Sequence, residues 1–338
     1  MLHSSGKRIS SITLERTFLR YFTVQKIIDR DQKYGGQHFK PLPVVLKKGE
    51  GCFLWDIQGK RYIDFISGFA TVNQGHCHPR LVNVMREQTG KLTHTSRAFF
   101  TEPHGELAEY LTKLLGWDRF LTMNTGVEAG DTALKMARRW GYRIKKIPEN
   151  KATVIFPNNN YWGRSLAAIS ASTNAAFYED FGPLMPLFDK VPFDDLNALE
   201  RKFNSNPNIC AFMMEPIQGE AGVLVPKIML LLEVGTHGST FGGSPLGQKI
   251  ALEAVRILEE EKLADNASKM GAILREELQK LSTEKVVEFR GRGLLAGLVL
   301  NKGDTRVLKI PRLTSDCKKN GFIVSAKSKS FQVDVQGV

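Results

Sequence analysis

The stretch that most limits what this chain can fold into is residues 119–217, where short apolar runs alternate with helical patterns. "RFLTM" has the composition of a strand, "GVEAGDTALKMARRWGYR" after it that of a helix, and "ATVIF" and "NICAFMMEP" supply two further strands. Runs that are apolar at consecutive positions belong to strands buried on both faces, and helices between them are the crossovers that parallel strands require. The expectation is an α/β chain whose mostly parallel sheet is covered on both sides. With 338 residues, 42% of them hydrophobic, the chain can bury a sizeable core, in one large domain and a smaller one or in two comparable ones.

The flanking segments fit that plan. "GCFLWDIQGKRYIDFISG" at 51–68 alternates apolar and polar residues around a "QGK" turn and predicts a β-hairpin. "HPRLVNVMREQTGKL" places Leu81, Val82, Val84 and Met85 on a helical face, and "HGELAEYLTKLLG" at 104–116 is a further amphipathic helix. Long helices are expected at 246–262 and 264–281, and "VVEFRGRGLLAGLVL" predicts strand, turn, strand in a small α+β C-terminal domain. "GRGLLAG" at 291–297 has the glycines of a nucleotide loop, but no helix follows, so it reads as a turn between strands.

Composition excludes several classes. The longest apolar runs, "IMLLL" and "GLLAGLVL", fall far short of the roughly 20 residues a membrane-spanning helix needs. Cys52, Cys77, Cys210 and Cys317 are widely spaced without a CxxC pair, as expected of reduced thiols inside a cell. "GHCHP" sets His76, Cys77 and His78 side by side, but neighbours point different ways and no second ligand pair follows, so a tight turn is expected there and no metal site. The net charge of +12 gathers at the two ends without the aromatic interleaving of a nucleic-acid surface, so no nucleic-acid partner is expected. Residues 1–26 hold Lys7, Arg8, Arg16, Arg20 and Lys26 against the single acid Glu15, with Leu14, Phe18 and Phe22 opposite Arg16 and Arg20. That is the arrangement of a mitochondrial transit peptide, and residues 1–25 are expected to act as one.

The chemistry shows most clearly in "FLTMNTGVEAGDTALKMARRW" at 120–140. An apolar run ends at Met123, Thr and Gly make a turn, and a helix begins, leaving N–H groups at Gly126 and Val127 and a hydroxyl on Thr125 to meet an anion.

With its neighbours this segment resembles a known family. "NQGHCHP", "TSRAFF", "MNTGVEAG", "YWGRS", "MMEPIQGEAGV", "HGSTFGGSPLG" and "RGRGLL" stand in the order found in class III pyridoxal-phosphate-dependent aminotransferases, the ornithine aminotransferases above all. The resemblance implies the aspartate-aminotransferase-like architecture, fold type I of the pyridoxal-phosphate-dependent transferases. Its parts here would be an N-terminal segment at 26–74, a large cofactor-binding domain at 75–250 and a small C-terminal domain at 251–338. It also implies roles: Thr125, Gly126 and Val127 on the pyridoxal phosphate phosphate group, Tyr161 stacked on the ring, Arg164 on the substrate carboxylate and Glu220 by the far end of the substrate. Thr240 would reach the phosphate of a second subunit, so a homodimer is implied, with ornithine and 2-oxoglutarate as substrates and the mitochondrial matrix as location.

One part of that pattern is missing. Transamination needs a lysine that bonds the cofactor and then moves a proton, and an acid that keeps the pyridine nitrogen protonated. In the family these stand in "GKALSGG" and "DEVQTG", and neither string occurs here. "GEAGVLVP" runs into "IMLLLEVGTHGST" across the single residue Lys227, which takes the place of an acid in the family pattern and is not in register to be the reactive lysine. Phe39 and Phe69 stand where the family's tyrosines face the substrate, and nothing after Arg312 is an arginine, so the C-terminus is altered as well. The expectation is an internally deleted, catalytically defective chain, a pseudoenzyme; the alternative is a non-catalytic partner that dimerises with a complete paralogue.

Overall fold

The centre of the molecule is β4 (Thr153–Pro157), every residue of which is buried. The computed structural model describes residues 11–38, 41–226, 243–280, 286–300, 320, 322–323, 325–326 and 330–334. β4 pairs in parallel with β5 (Phe188–Val191) on one side and with β6 (Ile209–Phe212) on the other, giving the order β5-β4-β6. Because strand side chains alternate, successive β4 residues serve two cores. Val154 and Phe156 pack with Leu134, Ala171 and Phe188. Ile155 packs on the opposite face with Val191, Leu199, Ile209 and Phe212. The first core is closed by α5 (Gly126–Arg143) and α6 (Leu166–Ala171), the second by α8 (Leu196–Ser205). This is the two-sided parallel sheet that the apolar runs predict, and α7 (Ala175–Tyr178) sits between α6 and β5 in the chain.

One expected strand is not formed. "RFLTM" (119–123) has no regular secondary structure and pairs with no strand among the described residues. Its composition suits a strand, yet a strand exists only where a neighbour takes its N–H and C=O groups, and β6 has β4 as its only partner among them.

The predicted hairpin is formed by β2 (Phe53–Asp56) and β3 (Arg61–Asp64), extended by β1 (Leu46–Glu50) and, in parallel to β3, by β9 (Phe322–Ile323). Its turn is held by Asp56, which accepts from the N–H groups of Gln58 and Lys60, both at 2.9 Å, and from the Tyr62 hydroxyl at 2.8 Å. The third sheet runs β10 (Ser325–Ala326), β11 (Ser330–Asp334), β8 (Leu295–Leu300), β7 (Val286–Arg292), all antiparallel, so "GRGLLAG" is a turn between strands as expected.

The remaining helices are α1 (Ser11–Tyr34), α2 (Ser67–Ala70), α3 (Pro79–Thr89), α4 (Glu102–Leu115), α9 (Pro245–Glu260) and α10 (Leu263–Gln279). α9 lies against α3 and α4 through charged pairs: Arg80 with Glu253 at 2.6 Å and with Glu260 at 2.8 Å, and Lys249 with Glu106. No described helix is long and apolar enough to cross a membrane.

Candidate active site

Three loops meet at the carboxyl ends of β4 and β6, where open parallel sheets build their ligand sites. The first opens α5. Thr125 caps the helix in extended conformation, its hydroxyl accepting from the Glu128 N–H at 3.2 Å, while the Glu128 carboxylate accepts from the N–H groups of Asn124 at 2.8 Å and Thr125 at 3.3 Å. This reciprocal box fixes the direction of the helix start. Gly126 adjoins open space, since a side-chain carbon added there would meet nothing within 4 Å. The helix dipole and the N–H groups of its first turn thus face a volume that an anion could fill.

The second loop, Tyr161–Ser165, lies across that first turn. Gly163 has φ +143°, and a methyl group there would stand 2.3 Å from Val127 Cγ2, so only glycine permits the approach. Gly130 is matched to the ring of Trp162 in the same way, at 2.5 Å, and Trp162 in turn stacks on Phe156 of the core at 6.2 Å between ring centres. Tyr161 is half-buried with its ring tilted against Phe177 at 5.9 Å. The exposed Arg164 guanidinium lies 3.8 Å above the Phe177 ring and 5.6 Å from that of Tyr161. A guanidinium stacked by its face keeps its edge N–H groups for a carboxylate.

The third loop follows β6. Glu215 ties it to the second: one carboxylate oxygen accepts from the Tyr161 N–H at 2.8 Å, the other from the Gly219 N–H at 3.3 Å. Gln218, wholly buried, donates to the Asn158 carbonyl at 2.9 Å. Gly219, next to Glu220 in the chain, is thereby tied to the loop of Tyr161. Glu215 and Gln218 are the positioning residues that sequence reasoning missed; "MMEPIQGEAGV" marks the segment, but only the fold reveals which of its polar side chains faces inward.

The structure brings the start of α5 at Val127 against Gly163, Arg164 over the Tyr161 ring, and Gly219, the neighbour of Glu220, to the Glu215 carboxylate that also holds the Tyr161 N–H. Thr240, Lys227 and Phe39 lie outside the described residues. Phe69 is half exposed, at 52%, with φ +58°. Beside the site, His104 accepts from Gln248 at 2.7 Å, and burial, followed by the nearby Arg97 charge, holds its pKa below the ordinary histidine range, so the imidazole is neutral near pH 7.

The arrangement fits one end of pyridoxal phosphate. The α5 start offers a hydroxyl and N–H groups for a phosphate, and the Tyr161 loop supplies an aromatic side chain next to it. It does not fit the reactive end. Among the described residues the sheet stops at β6, which borders an open cavity, and the chain between Leu224 and Gly247 contains one lysine, Lys227, and one acid, Glu233.

Residues 34–228 and 225–332 match the class-III aminotransferase family model in two stretches that meet at the Pro226–Ile228 joint. The mitochondrial ornithine aminotransferase of Drosophila ananassae is 44% identical over 345 residues, 82% of this chain and 80% of the fly protein. That of Rattus norvegicus is 41% identical over 368 residues, 89% of this chain and 84% of the rat protein. An alignment of that length over 89% of 338 residues leaves several tens of rat positions without a counterpart here. Among solved structures, the ornithine aminotransferase of Toxoplasma gondii crystallised with oxidised glutathione has a TM-score of 0.87 at 35% identity, over 97% of this chain and 93% of that one. The acetylornithine aminotransferase of Elizabethkingia anophelis has 0.80 at 31%, over 93% and 94%.

Proposed function

This chain belongs to the class-III aminotransferases, and from that premise we propose that it is an ornithine-aminotransferase-like protein that has lost catalysis. The family reaction moves the δ-amino group of ornithine to 2-oxoglutarate with pyridoxal phosphate. In this reading Thr125, Gly126 and Val127 would hold the phosphate, Tyr161 the ring, Arg164 the substrate carboxylate and Glu220 the far end of the substrate. The observation that supports the loss is the joint at Pro226–Ile228, where the family's lysine and acid would stand on the segment this chain lacks. Without the lysine there is neither a covalent anchor nor a proton shuttle at the reacting carbon, and without the acid the pyridine nitrogen loses its partner. The test is amine transfer from ornithine to 2-oxoglutarate with excess cofactor: the chain should stay at the buffer control, and turnover above it would overturn the reading.

The chain is proposed to work as a dimer, of itself or with a complete paralogue. Phe99 and Phe100 support this: they are 66% and 98% exposed side by side, an apolar pair that a subunit contact would cover. Sedimentation should give a dimer that Phe99→Ser with Phe100→Ser converts to monomer; a wild-type monomer, alone and with a complete enzyme, would refute it.

Mitochondrial residence is proposed from the basic, serine-containing residues 1–25. Fused to a fluorescent reporter they should direct it to mitochondria, and Glu at Arg8, Arg16 and Arg20 should stop that. A cytosolic signal from the unaltered fusion would count against a leader.

A further inference from the structure

Next to these loops, between α5 and the edge of the sheet, the fold holds an open apolar cavity of about 850 Å³. Its walls are segment 119–123, unpaired among the described residues, through Phe120 and Met123, the edge strand β6, through Ala211 and Phe212, and α5, through Met136 and Trp140. α5 has two apolar faces. One, with Leu134, packs on the sheet; the other, with Ala133, Ala137 and Trp140 at helical spacing and Ile144 just past the helix end, lines the cavity, and Trp140 and Ile144 are 49% and 68% exposed. A helix apolar on both sides belongs inside a two-sided core, and among the described residues no element covers the second side.

What would cover it follows from three observations. β6 has a strand on one side only among the described residues, and an unpaired edge is a template for another strand. The family relatives carry several tens more residues, and the joint where the family model breaks follows β6 in the chain. The rim is basic: Arg119, Arg139 and Arg143, all exposed, border the cavity, and no carboxylate is among its described lining residues.

We propose that this groove is an acceptor for a β-strand supplied by another polypeptide, an extended apolar segment carrying carboxylates, which adds to the free edge of β6. Main-chain hydrogen bonds to β6 would provide affinity, apolar side chains on the face toward α5 would enter the cavity, and carboxylates at the end of the segment would meet Arg139 and Arg143 at its rim. The inference does not depend on whether the chain transfers amines.

The experiment uses the full chain and dye-labelled, strand-length valine-rich peptides that end in glutamates, with matched versions carrying lysine for glutamate or a central proline, followed by fluorescence anisotropy. The glutamate peptide should bind at least about tenfold tighter than the lysine one, and the proline peptide, which cannot complete a ladder, should not bind. Arg139→Glu with Arg143→Glu, both surface changes, should reverse the charge preference. Equal binding of all three peptides, or none, would overturn the proposal. So would self-association of the chain that the glutamate peptide does not displace, because a second copy would then fill the groove.

Discussion

Inserting the relatives' missing segment between Pro226 and Ile228 is expected to raise amine transfer from ornithine to 2-oxoglutarate from the buffer level to a measurable rate, a gain of at least about 10²–10⁴-fold. That range is what proton transfer by a positioned side chain contributes alone, and protonation of the cofactor nitrogen comes on top of it. The size of the gain rests on the rest of the site being ready. The Thr125–Glu128 capping box, the contact of Gly163 with Val127, and the Glu215 carboxylate across two loops all stand without the missing segment. The insertion has only to deliver its own groups. A control insertion whose lysine is replaced by alanine should stay at the buffer level while folding like the active one. Equal activity of the unrepaired chain would refute the account; an inactive insertion would show that Phe39, Phe69 or the altered C-terminus is limiting as well.

The same insertion should stabilise the protein. Leu115, Leu121, Trp140 and Ile144 line the cavity beside α5 and are 58%, 39%, 49% and 68% exposed. Full burial of a large apolar side chain is worth about 1.5–3 kcal/mol, so covering these four part-exposed groups should add roughly 3–6 kcal/mol. Against a usual total of about 5–15 kcal/mol this is a large share. Denaturant unfolding should show the inserted chain with a higher midpoint and a steeper transition, since more surface is exposed on unfolding. An unchanged midpoint would mean that the missing strands do not cover this cavity.

Much of the fold was legible because local rules decided it. The hairpin at Phe53–Asp64 needs only alternation and a turn, and the turn's support, Asp56, lies within the same segment. The α5 start was legible from Thr125 and Gly126 for the same reason, and β4 from consecutive apolar residues that both faces of a sheet require. Where a structure depends on a distant neighbour, sequence misleads. Arg119–Met123 has strand composition and no strand partner among the described residues, so its backbone is not part of a sheet there. The tie from Glu215 to Tyr161 spans 54 residues and carries no local signature. Arg164 and Glu220 could be named by motif, but that Arg164 rests on the Phe177 ring could not, because Phe177 belongs to a segment without any motif.

The central claim, that this chain keeps a phosphate cradle but has no lysine placed to bond the cofactor, is tested most directly by mixing the purified chain with equimolar pyridoxal phosphate, reducing with borohydride, and mapping the modified peptides by mass spectrometry. The account predicts only low, scattered labelling of surface lysines, unchanged when Lys227 is replaced by arginine. Stoichiometric labelling of a single lysine, Lys227 above all, that Lys227→Arg abolishes would contradict it.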